Sequence, residues 1–179
     1  MKYTQYVGIT VELHIEIADS KTVEYGKLLA EDDNYLIYQA ITPDGHWDGL
    51  SLIRKSNVNR IRASTAYTDR IEKLILLRKS QGFSDFYCIS GNCISDIIKY
   101  SIDNHYVISI ELLCSCHLDA VGIPLCSFDG YLKLNQLDDD GRANGFQLLK
   151  AASITRCYVM SSYEESIFTL HNNQVVNTI

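Results

Sequence analysis

Apolar and polar residues alternate strictly in two stretches of the chain. Ile9, Val11, Leu13, Ile15 and Ile17 are interleaved with Thr10, Glu12, His14 and Glu16. Ile108, Ile110, Leu112, Cys114 and Cys116 alternate in the same way, 99 positions further on. A period of two marks a strand with one face buried and one face wet. Shorter apolar runs follow the first stretch and predict strands over 23–31, 35–41, 50–54 and 58–62. The Asp44-Gly45 and Asp48-Gly49 pairs between the third and fourth runs supply the positive φ that a tight connection needs. Beyond them, Tyr67, Ile71 and Leu74 fall at i, i+4 and i+7, the spacing of one helix face, and predict a helix over 66–79; the run 72–77 is also compatible with a strand.

The second half repeats this order. Aligning 26–74 with 122–170 at an offset of 96, without a gap, gives thirteen identities in 49 positions, where about three arise by chance. Gly26/Gly122, Tyr35/Tyr131, Asp44/Asp140, Gly45/Gly141, Gly49/Gly145, Leu52/Leu148, Arg60/Arg156, Tyr67/Tyr163 and Ile71/Ile167 are among them. The upstream strands align at the larger offset of 99, with Glu12 on Glu111, so the loop before Gly122 is three residues shorter. Two copies of one small unit are expected. Ser162 and Glu165 have capping-box separation at the start of the second helical segment. A further short helix is expected at about 95–101, in a connecting segment with no counterpart in the first copy. Five short strands in about 55 residues predict a mainly β chain of two tandem five-stranded, strongly bent antiparallel small barrels. Their boundaries fall at 1–64 and 105–179, with 65–104 between them.

Gly26, Leu28 and Asp32, and then Ile53-Arg54-Lys55-Ser56-Asn57-Val58, resemble the two motifs of the Sm-like family of SH3-like small barrels. The pattern departs at Lys55, where the family has Gly, and at Leu36, where it has Asn. In the second copy Leu149-Lys150-Ala151-Ala152-Ser153-Ile154 keeps only a basic residue and the aliphatics. The resemblance implies a base-binding loop around Arg54 and Asn57, and assembly of barrels into oligomers. Arg60 and Arg62 lie close enough in sequence to extend such an RNA or anion site.

Composition narrows these options. Sixteen basic and 22 acidic side chains give a net charge of −6, all of it in residues 81–179. Phosphate contacts dominate nucleic-acid affinity, so the overall charge disfavours RNA, although Arg54, Lys55, Arg60 and Arg62 form a local basic cluster. No long apolar run and no leader-like N-terminus is present, and a cytoplasmic protein without membrane contact is expected. The six cysteines all lie in the second half. Cys114, Cys116, Cys126 and Cys157 take places held by Ile15, Ile17, Ala30 and Ile61 in the first copy, so they are expected to be core residues. Neither a metal nor a cofactor is expected. Asp138-Asp139-Asp140-Gly141 lacks the closing Glu of a calcium loop. His46 and Trp47, at a hairpin tip, are candidate protein-binding residues; Ala143 replaces the tryptophan in the second copy. Arg60 and Arg156 are expected to pair with the recurring Asp33 and Asp129. No nucleophile, phosphate-loop or zinc-hydrolase motif occurs, and no histidine recurs between copies. The expected function is therefore non-enzymatic binding or assembly, with a protein partner or a second copy of the chain. Single-stranded RNA is the alternative, and an enzyme between the barrels is a distant third.

Overall fold

The computed structural model describes residues 2–17, 20–79, 82, 86–113, 115 and 117–176. The first copy comprises β1 (Thr10–Ile17), β2 (Ser20–Glu31), β3 (Tyr35–Ile41), β4 (Trp47–Arg54) and β5 (Val58–Ala63), followed by helix α1 (Ala66–Arg78). Helix α2 (Cys93–Asn104) leads into the second copy: β6 (Ile108–Leu112), β7 (Ala120–Phe128), β8 (Tyr131–Leu137), β9 (Ala143–Lys150), β10 (Ile154–Val159) and helix α3 (Ser162–Val176). The Tyr67 face forms α1, with Ile71 buried and Thr65 capping the N-terminus in a reciprocal box with Thr68. At α3 the anticipated Ser162–Glu165 box is displaced by one residue. The buried Glu164 carboxylate accepts from the Ser161 backbone N–H at 3.0 Å and from the hydroxyls of Ser161 and Ser109.

Among the described residues the ten strands form one antiparallel sheet, in the order β5-β1-β2-β3-β4-β10-β6-β7-β8-β9. The two separate barrels expected from the sequence are thus replaced by a single open sheet. The physical reason lies at β4. An edge strand presents unpaired N–H and C=O groups, and β4 satisfies its own by pairing with β10 instead of turning back to β5. Arg156, Cys157, Tyr158 and Val159 stand opposite Ile53, Leu52, Ser51 and Leu50.

The halves of the sheet share their internal order, and strands 2 to 4 of each share register at the offset of 96. The expected alignment of the first strands at 99 does not hold: Val11 and Leu13 oppose Ala63 and Ile61 as Ile108 and Ile110 oppose Val159 and Cys157, an offset of 97 that sets Glu12 on Ser109 and not on Glu111. Tyr35 opposes Arg54 as Tyr131 opposes Lys150. The ladders are irregular at the same places: between Leu28 and Ala30 as between Pro124 and Cys126, and between Gln39 and Ile41 as between Asn135 and Leu137. Such bulges bend a strand and increase its twist, so both halves curve alike. The recurring turn glycines have a common cause. Gly45 and Gly141 have φ of +85° and +77°, and a Cβ on either would lie within 2.6 Å of the following helix, at Leu74 Cβ or His171 N. Only glycine lets this hairpin tip lie against the helix.

The largest core cluster spans both copies. Cys93, Ile97 and Ile98 of α2 pack with Leu50 and Leu52 of β4, Ile108 and Ile110 of β6, and Cys157 and Val159 of β10. The connecting helix therefore covers the seam between the halves. A second cluster, including Val11, Leu13, Leu28, Leu36, Tyr38 and Ile53, lies within the first copy. Cys157 is a core residue as expected, but Cys126 is exposed, because it sits beside the bulge of β7 where the strand turns toward solvent. Cys114 and Cys116 lie outside the described residues. No described helix is long and apolar enough to cross a membrane.

Candidate interaction interface

The residues singled out by sequence do not form one patch of free cations. Arg54, at the end of β4, is engaged across the seam: Nη2 donates to the Tyr35 hydroxyl at 3.1 Å, to the Ile154 carbonyl at 3.1 Å and to the Ala152 carbonyl. A cleft of about 330 Å³ lies beside it, lined by Asp32, Asn34, Tyr35 and Asn92 among others. The Asn57 Nδ2 is buried with no hydrogen-bond partner among the described residues. Arg60 and Arg62 lie on β5; the first contacts the His14 ring at 3.1 Å, and the second donates to the buried Glu12 at 3.1 Å. Arg60 thus does not have Asp33 as its partner, and Arg156 has Glu24 and Glu111 rather than Asp129. Asp129 has φ +47° in the turn between β7 and β8, away from strand β10. His46 is exposed and 2.7 Å from Arg78 of α1. Trp47 begins β4 opposite Ile41 and is half-buried.

The seam between β4 and β10 shows what this unit does with a strand edge. Tyr35 donates its hydroxyl to the Ile154 carbonyl at 3.0 Å, and Asp48 accepts the Ser162 backbone N–H at 2.7 Å. Gly49, with φ +74°, brings its backbone so close that a Cβ would stand 2.4 Å from the Val159 oxygen. Arg156 is buried between the two copies, paired with Glu24 of β2 and, at 3.8 Å, with Glu111 of β6, and it stacks on the Tyr158 ring. Burial opposes its charge, but Glu24, Tyr38, Tyr158 and Glu111 together raise its pKa. Burial also pushes the Glu111 carboxyl upward, against the pull of Arg156. Tyr38 completes the network by donating to Glu24.

At the far end of the sheet, among the described residues, the same unit has no such neighbour. Strand β9 pairs with β8 on one side, and the sheet ends on its other side. Leu50 and Leu52 of β4 are 0% and 1% exposed, whereas their counterparts Phe146 and Leu148 are 67% and 56% exposed. Gly145 keeps φ +83° but has no atom within 4 Å of its Cβ position. The opposite end mirrors this. Strand β10, with neighbours on both sides, is buried at five of its six positions, and β5, with β1 alone beside it, at one. Among the described residues the sheet thus has one completed seam and ends at β9 on one side and β5 on the other. The sequence contained the signal, since Phe146 and Leu148 align with Leu50 and Leu52, but only strand pairing separates covered positions from bare ones.

Comparisons with protein-family models, curated proteins and solved structures give no match for this chain.

Proposed function

We propose that this protein is a non-catalytic binding and assembly module of two fused small β units, and that it binds protein by accepting an extended strand along β9. One observation carries the proposal: among the described residues β9 ends the sheet with Phe146 and Leu148 exposed, at the positions where β4, with β10 beside it and α2 across it, buries leucines. Strand addition draws affinity from main-chain hydrogen bonds and specificity from alternate side chains. Natural sheets usually blunt an edge with lysine, proline or an inward charge. Within β9 the only charged residue is Lys150, at its end.

The test is selection of extended peptides from a displayed random library on the wild-type protein, counter-selected against Leu148→Glu. Peptides that bind, and that protect the outward β9 amides from hydrogen exchange, are the expected result. No binders, or binders that protect another surface, would refute strand acceptance at β9.

A further inference from the structure

We propose that the second copy binds an organic cation, an ammonium or guanidinium group, in the cleft between the start of α3 and the segment before β7, with Glu111 as its main acceptor. The cleft has a volume of about 350 Å³, and Glu111, Glu164, Tyr158, Tyr163, His117 and Leu118 line it. This site is independent of strand acceptance at β9, which lies at the far end of the sheet.

Glu111 is the residue that points to a ligand. Its side chain is nine-tenths buried, a state that carboxylates rarely reach unless paired. Its pairing is incomplete. Arg156 Nη1 stands 3.8 Å from Oε1, beyond hydrogen-bond reach, and Nη2 of the same guanidinium is committed to Glu24. The Tyr158 hydroxyl donates to Oε1 at a long 3.4 Å. Oε2 has no hydrogen-bond partner among the described residues.

The first copy shows which charge is missing. With the last strands aligned at 96 and the first strands at 97, Arg60 and Arg62 correspond to Arg156 and Tyr158, and His14 corresponds to Glu111. On β1 and β5 two arginines accompany one buried carboxylate, Glu12, to which Arg62 donates at 3.1 Å. The second copy keeps one arginine, while Glu111 replaces His14 and Glu164 replaces Thr68. Glu164 accepts from the Ser109 and Ser161 hydroxyls and the Ser161 amide, all neutral donors, so its charge is unmatched. His117 does not make up the difference: it is largely exposed and lies 3.5 Å from a carboxylate of its own, Asp119. A ligand cation in the cleft supplies the positive charge that Arg62 supplies in the first copy. Tyr158 and Tyr163 give it aromatic neighbours, and Tyr158 already holds the Arg156 guanidinium 4.9 Å over its ring. Leu118 suits the apolar stem of such a group.

The experiment titrates the purified full chain with butylammonium and with butylguanidinium, followed by amide shifts in nitrogen–proton correlation spectra, with butanol as the uncharged control. Both cations are expected to bind saturably and to move the amides of Glu111, Leu118, Tyr158 and Glu164, and butanol is not. Glu111→Gln should weaken both at least about tenfold, the scale of losing a charged acceptor. Leu118 is 38% exposed, so Leu118→Arg adds a tethered guanidinium to the cleft without disturbing the core. It should abolish probe binding, whereas Leu118→Met should not, and this pair keeps the test decisive if Glu111→Gln fails to fold. Acetylated and amidated Gly-Lys-Gly and Gly-Arg-Gly separate the sources of the cation. Peptides that bind at least as tightly as the butyl probes identify a lysine or arginine side chain of a protein; binding of the butyl cations alone identifies a free amine or guanidine. A wild type that binds no cationic probe, binding equalled by butanol, or binding untouched by Leu118→Arg or by a folded Glu111→Gln overturns the inference.

Discussion

The matched leucines of the two copies give a test with an internal control. Leu52 and Leu148 occupy equivalent places on β4 and β9, and they differ in whether strand β10 and helix α2 lie against them. Leu52 is 1% exposed and packs in the cluster that includes Ile97, Ile98, Ile110 and Cys157. Leu52→Ala opens a cavity at the seam and should cost about 3 kcal/mol, within the range of such truncations. Leu148 is 56% exposed, so truncation removes less than half of its burial. Full burial of a leucine is worth about 1.5–3 kcal/mol, which puts Leu148→Ala below about 1 kcal/mol in the single chain. With a urea slope of about 2 kcal/mol per molar, the midpoint should fall by about 1.5 M for Leu52→Ala and by less than about 0.5 M for Leu148→Ala. The assay is urea unfolding followed by far-UV circular dichroism at a concentration low enough for single chains. Equal shifts for the two variants would refute the reasoning, because β9 would then be packed within one chain.

Three further outcomes follow from the geometry. Burial alone would raise the Glu31 pKa, but hydrogen bonds from Lys55, Thr4 and the Tyr3 N–H outweigh it and hold it down to about 2. A depressed carboxyl stabilises above its unfolded value and loses that contribution as pH falls through the folded one. Wild type should therefore lose about 3 kcal/mol between pH 4.5 and pH 2 from this group, and Glu31→Gln should flatten that limb of a urea-midpoint profile; an unchanged profile contradicts the assignment. Arg156→Met leaves Glu24 and Glu111 facing each other without their cation and should cost about 3–5 kcal/mol. Adding Glu24→Gln and Glu111→Gln should restore part of the loss in the same unfolding assay, and no restoration would place the cost in packing instead. Mixed-sequence RNA should show no saturable anisotropy change at low salt, because Arg54 and Arg62 are engaged within the chain; binding that weakens with salt and disappears in Arg54→Ala would revive the RNA alternative.

Local elements were largely legible in the sequence. Period-two alternation places β1 and the start of β6, which stops at Leu112, and the Tyr67 and Tyr163 faces place α1 and α3, because each is set by contacts close in sequence. The doubled pattern also revealed equivalent positions. What the sequence did not disclose was the partner of β4. The groups an edge leaves unmet are main-chain, so two barrels and one shared sheet have the same alternation. The ion pair of Arg156 was hidden for the same reason: Glu24 becomes its neighbour only once the halves join, and Asp33 and Asp129 recur because both follow a long strand into a turn. Trp47 drew attention as a rare aromatic, while the exposed surface lies on β9, where Ala143 holds the equivalent place.

The most direct test of the shared sheet with β9 as an open end is hydrogen exchange on single chains, resolved to individual amides in β4 and β9. Amides of β4 directed toward β10 should exchange slowly, and their equivalents on β9, directed away from β8, should exchange at rates close to those of open backbone. Equal protection of the two sets in single chains would contradict the account, because β4 and β9 would then be equally covered.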